Sequence, residues 1–172
     1  AVQHESSTEL LARKYRIPLE RAQAMNANMT AQGEKEGIEF HLDRVRMGNT
    51  FDAHRLIHFA ASHGQREEMV ERLFRAYFTE GASLGDHDVL VRLATEVGLD
   101  GETARNQLES GAFADAVRAD EDRARAFGIT GVPFFAIDER YGISGAQSPE
   151  VILAALHQAW SEGAAVQAHA HG

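Results

Sequence analysis

Thr130-Gly131-Val132-Pro133-Phe134-Phe135 is the stretch on which the reading of this chain turns. A turn, a proline and a short apolar run arrive late, after a long block of helical pattern. Phe134 to Ile137 reads as a strand of β-favouring residues. Asp138-Glu139-Arg140-Tyr141-Gly142 reads as a hairpin turn, with a short return strand over Tyr141 to Ser144. Beyond it Ser148 caps and Pro149 opens the last helix, whose expected buried side is Ile152, Leu153, Leu156 and Trp160. On its residues alone, Pro133 is a trans proline at the first position of a strand, where its missing N–H does no harm. Thr130 and Gly131 shape the turn.

Upstream the periodicity is helical. Ser6 or Ser7 caps a short helix through Leu10, Leu11 and Tyr15. Pro18 opens a second, with Ala22, Met25 and Met29 on one side and an end near Gly33 or Gly37. Ile38 to Leu42 alternates and reads as extended. A helix from Phe51 to Ser62 stops at Gly64. The clearest helix follows, with Met69, Val70, Leu73, Phe74, Tyr77 and Phe78 at spacings of three and four. Its aromatic run reads as a packing side. Val89, Leu90, Leu93, Ala94 and Val97 mark another helix, and Asp100 caps a short one through Leu108. Phe113, Val117, Ala124 and Phe127 line a charged helix that ends at Gly128. On that helix Arg118 with Asp122 and Glu121 with Arg125 are i,i+4 partners.

Composition sets the bounds. With 172 residues and 44% apolar content, the chain can bury one real core. Its formal net charge of −9 and lack of a basic stripe argue against nucleic acid as a partner. No apolar stretch approaches a membrane span. The chain has no cysteine, which excludes disulfides and thiolate metal sites. No secretion signal is recognised, and the expected location is cytoplasmic.

A helical block followed by one hairpin is a poor sheet, since a lone two-stranded hairpin is marginal unless something packs on it. The late order of helix, proline-led strand, strand and helix reads as the C-terminal half of a small α/β unit. The residues that carry a resemblance are Asn49 to Leu56, the helix Phe113 to Phe127, the turn Gly128 to Phe135, and Tyr141-Gly142-Ile143-Ser144-Gly145-Ala146-Gln147. Together they resemble the thioredoxin-like DsbA family, in its cytoplasmic branch with the 2-hydroxychromene-2-carboxylate isomerases and, nearest, the FrnE-type dithiol oxidoreductases. The resemblance implies an α/β, thioredoxin-like fold of DsbA type with a large all-helical insertion, the N-terminal strands being absent from this chain. The expected organisation is a start of chain over residues 1–9, following the missing strands, a helical insertion over 10–105, the C-terminal half of the thioredoxin-like domain over 106–163, and a flexible tail over 164–172.

The resemblance also implies the site. Pro133 becomes the family's cis-proline, and Val132 before it pairs its backbone with the substrate chain. Asn49 and Asp52 border the substrate cleft, although their residue types alone suit the cap and first turn of a helix. The family's Cys-x-x-Cys helix is missing, so no catalytic residue lies in this chain. The implied activity is thiol–disulfide exchange or isomerisation in the complete protein, on a thiol or disulfide substrate that is a peptide or small molecule, with the isolated chain redox-inactive. The alternatives are a glutathione-dependent isomerase, for which glutathione would be the cofactor, and a non-catalytic binding protein. Otherwise no cofactor is expected, and a homodimer is compatible. His54 and His58 have the spacing of a helical metal pair, but no third ligand accompanies them, so packing or hydrogen bonding is the expected role. His169 and His171 lie in the tail and offer only incidental metal binding.

Overall fold

The computed structural model describes residues 6–170. Helices α1 (Ser7–Tyr15), α2 (Leu19–Lys35), α3 (Phe51–Ala61), α4 (Arg66–Phe78), α5 (His87–Glu96), α6 (Gly101–Glu109) and α7 (Ala114–Ala126) precede strands β1 (Phe134–Ile137) and β2 (Tyr141–Ser144), and α8 (Pro149–Ala170) closes the order. The chain divides into two compact units, residues 1–119 and 120–172.

The first unit is built on amphipathic helices with local stop and start signals. Ser6 caps α1 in a reciprocal box: its hydroxyl accepts the Glu9 N–H while Glu9 accepts the Ser6 N–H at 2.9 Å. Asp100 caps α6, accepting the Thr103 N–H at 2.7 Å. The core joins Leu56 and Phe59 of α3, Met69 and Leu73 of α4, Leu90 and Leu93 of α5, and Leu108 of α6. Each such side chain contributes about 1.5–3 kcal/mol by leaving water.

Three local readings change. Residues 38–42 form a loop, not a strand, because the end of α4 takes their polar groups: the His41 N–H donates to Phe78 O at 2.8 Å and Thr79 Oγ1 donates to Glu39 O at 2.8 Å. Met25 and Met29 are exposed, since α2 buries only the narrow stripe of Ala22 and Gly33. Arg118 lies over the Phe51 ring at 5.3 Å, a cation–π contact in place of the expected pairing with Asp122.

In the second unit β1 and β2 pair antiparallel, with Phe134 opposite Ser144 and Ile137 opposite Tyr141. Asp138 and Glu139 turn the hairpin with positive φ, the sense that the right-handed strand twist favours. Among the described residues β1 pairs with β2 alone. Ile143 and Ala159 are buried, and the Tyr141 hydroxyl donates to the Glu162 carboxylate, which ties β2 to α8. The expected buried side of α8 is therefore wrong by a rotation of the helix. Ile152 is half-buried, Leu153 and Leu156 are exposed, and Trp160 is 80% exposed. The small Ala159 packs where the sequence favoured the large Trp160. Helix α8 also runs through Gly163 to Ala170, where a flexible tail was expected.

Candidate functional site

The turn that opens β1 is set by the end of α7. Gly128 takes φ +68°, a conformation that other residues adopt at a cost, and this lets the Ile129 N–H close the helix on Ala124 O at 3.0 Å. The next residues, Thr130 and Gly131, are exposed, and they lead to a cis Val132–Pro133 bond. Pro133 O accepts the Gly145 N–H at 2.9 Å, extending the β1–β2 ladder by one bond. Val132 stands outside that ladder. Val132 is 91% exposed, and among the described residues its N–H and C=O make no hydrogen bond. The turn therefore presents a free donor and a free acceptor beside a strand edge, the groups that an extended chain requires for pairing.

Asn49 and Asp52 belong to the first unit. Asn49 Oδ1 accepts the Phe51 N–H at 2.8 Å, so Asn49 rather than Thr50 satisfies the start of α3. Asp52 is the centre of a polar cluster. Its Oδ1 accepts from Arg55 Nη1 at 2.6 Å and its Oδ2 from His87 Nε2 at 2.9 Å. Burial works against the ionised form of Asp52, but the bonds from His87 and Arg55 outweigh it and hold the carboxyl below its ordinary pKa.

Arg55 is 5% exposed. Its Nε donates to Ala112 O at 2.7 Å, and its Nη2 to Gln107 O and Leu108 O at 2.6 and 3.0 Å. Those carbonyls lie at and beyond the end of α6, where helical partners run out, and a cation also suits that end of the helix dipole. The sequence places Arg55, a polar residue, where the apolar side of α3 begins. It carried no signal for His87, which lies 35 residues from Asp52 and meets it only through the packing of α5 on α3.

His54 is exposed rather than packed, and His58 is half-buried. Among the described residues no group of three His, Cys, Asp or Glu side chains is placed to hold a metal. His171 lies outside the described residues. Among the described residues no helix is long and apolar enough to cross a membrane.

Comparison with known proteins gives this arrangement its context. The model of the DSBA-like thioredoxin domain family matches residues 5–157. Uncharacterized protein YwbO of Bacillus subtilis (strain 168) is 35% identical over 125 residues, covering 72% of this chain and 62% of that protein. The chain thus spans less than two-thirds of the length of that curated relative. The crystal structure of a probable DsbA oxidoreductase from Streptomyces coelicolor is similar with a TM-score of 0.86 at 42% identity, over 92% of this chain and 68% of that one. The fold is accordingly thioredoxin-like of DsbA type and mostly helical, with a large helical insertion and no strand before β1 among the described residues. The same comparisons correct the cytoplasmic expectation, because DsbA-family oxidoreductases are typically periplasmic or secreted. Disulfide chemistry belongs to oxidising compartments, and a chain without cysteine carries no compositional mark of its own compartment.

Proposed function

The chain belongs to the DSBA-like thioredoxin domain family, and we propose that it forms the substrate-platform part of a FrnE-type thiol–disulfide oxidoreductase. The observation that carries this reading is the exposed Val132–Pro133 turn, with free Val132 backbone groups, in a chain of that family without a cysteine. Val132 and Pro133 receive the substrate as an extended segment, and Thr130 and Gly131 shape the turn. Residues 10–105 are the insertion, and residues 106–163 are the C-terminal half of the thioredoxin-like domain.

In the complete protein a low-pKa cysteine thiolate attacks the substrate disulfide. One substrate sulfur enters a mixed disulfide, and the other leaves as thiolate. A second cysteine thiolate then attacks the mixed disulfide, releasing the reduced substrate and leaving the enzyme pair oxidised. This chain supplies none of those sulfurs, so by itself it binds without exchanging electrons. Asn49 is exposed, which supports a substrate contact. Asp52 has both oxygens occupied by Arg55 and His87, which supports an organising role.

A second reading, a non-catalytic thioredoxin-like binding protein, is favoured by the absence of cysteine itself. Thiol titration and insulin reduction by the full-length protein separate the two. The oxidoreductase reading expects a titratable cysteine pair and turnover. A full-length protein without thiols, or with thiols and no turnover, overturns it. Titrating this chain with an extended peptide, followed by amide NMR, tests the platform. Shifts at Val132, Phe134 and Phe135 are expected, and their absence removes the platform from the reading.

A further inference from the structure

We infer that an aromatic cleft in the first unit, on the outer side of α4, binds a small organic ammonium ion with apolar substituents. The cleft has a volume of about 450 Å³, within the range of small-molecule sites. Its apolar walls are Ile38, Phe40, Phe74 and Phe78. The Phe40 and Phe78 rings meet edge to face at 5.5 Å, and Phe74 lies 6.1 Å from Phe78 in a tilted arrangement. The ring planes are thus inclined to one another rather than stacked flat. Phe74 is 57% exposed, whereas Leu73 beside it is buried in the core. The sequence pattern alone would have spent Phe74 on packing.

The walls are held in place. The loop carrying Phe40 is fastened to the end of α4 through the His41 N–H bond to Phe78 O and the Thr79 Oγ1 bond to Glu39 O. A guest therefore meets a largely formed site.

The charged groups select the sign of the guest. Glu39 and Glu71 line the cleft with Arg75. Arg75 Nε lies 3.6 Å from Glu80, so its charge already has a partner. The ion pairs of α4 engage Arg72 and Arg75, and Glu71 has none among the described residues. An anionic guest would face two carboxylates. Glu39 is already bonded to His41 Nε2 at 2.9 Å, so a neutral apolar guest would gain the walls but leave the Glu71 carboxylate unused. A cation gains the negative faces of the rings together with the Glu71 carboxylate, and the chain's net charge of −9 raises its local concentration. Apolar substituents match the aromatic walls and lower the cost of stripping water from the charge.

The test uses choline as the probe and dimethylbutanol, its uncharged carbon isostere, as the control. Binding is followed by amide NMR over residues 37–40 and 71–79. Choline is expected to shift these resonances saturably and to bind more tightly than the isostere. Phe74→Leu, which keeps an apolar group but removes the ring, is expected to weaken choline about two- to fivefold. Glu71→Gln is expected to weaken choline and leave the isostere unchanged, whereas the remote Glu109→Gln leaves both unchanged. Equal affinity for choline and its isostere overturns the inference. So does an equal loss in the Glu71 and Glu109 variants, which would mean diffuse attraction to an acidic protein. Absence of saturable shifts with choline overturns it as well. Matching amide spectra of the free variants confirm that each comparison is made on folded protein.

Discussion

Arg55 and Asp52 show how one side chain can hold several elements. Arg55 supplies donors to Gln107 O, Leu108 O and Ala112 O, and only Gln107 O has a second side-chain donor among the described residues, the Ser110 hydroxyl at 3.2 Å. Arg55→Met keeps much of the apolar stem but leaves Leu108 O and Ala112 O without a side-chain donor and the Asp52 carboxylate with His87 alone. Loss of about 3–5 kcal/mol is expected in urea unfolding, the cost of breaking a buried charged network from one side. A loss below about 1 kcal/mol would show that water replaces the guanidinium and that the network is not structural. Asp52→Asn is milder, about 1 kcal/mol, because the arginine keeps its carbonyl partners and the site is partly open to solvent. Its effect depends on pH. The folded-state pKa of Asp52 lies below the unfolded value of about 3.9. Its ionisation therefore adds stability above the unfolded pKa, and that contribution is lost as pH falls through the folded one. Unfolding midpoints measured from neutral pH downward should show the wild-type advantage over Asp52→Asn constant at first and then shrinking in acid. An advantage that grows in acid would contradict the assigned pairing.

At the scale of elements, the junctions rather than the helices are the sensitive points. Gly81 follows α4 with φ +67°, and a methyl group added there would sit 2.6 Å from Arg44 O. Backbone cannot swing aside as a side-chain end can. Gly81→Ala is expected to destabilise the first unit by about 1–3 kcal/mol, from left-handed strain and overpacking together. A midpoint unchanged in thermal unfolding would mean that the 38–46 segment gives way freely. Helix positions, caps and turns were legible in the sequence because their signals are local: Ser6 with Glu9, Asp100 with Thr103, Pro18 before α2 and Gly128 after α7 act over one or two turns of chain. Which side of α8 is buried was not legible. Apolar spacing favoured Leu153, Leu156 and Trp160, yet the neighbouring β2 offers Ile143 and Tyr141, and the helix meets them through Ala159 and Glu162.

For the whole molecule, the decisive datum is the absence of any thiol in a family whose oxidoreductases work through cysteine. The chain as it stands is expected to show no thiol-dependent insulin reduction and no mass increase with iodoacetamide. Catalysis above the uncatalysed background would require a different chemistry and would overturn the proposed function. The sequence by itself determined the helical block, the late strand pair, the proline turn and this lack of a nucleophile, because these depend on residue identity, local spacing and counting. Only the tertiary structure decided that Asp52 joins His87, that Arg55 closes the end of α6, and that Phe74 faces a cleft while Trp160 lies in solvent. Those outcomes depend on which apolar surface each helix finds and on polar groups brought together from distant parts of the chain, and no pattern confined to one segment encodes them.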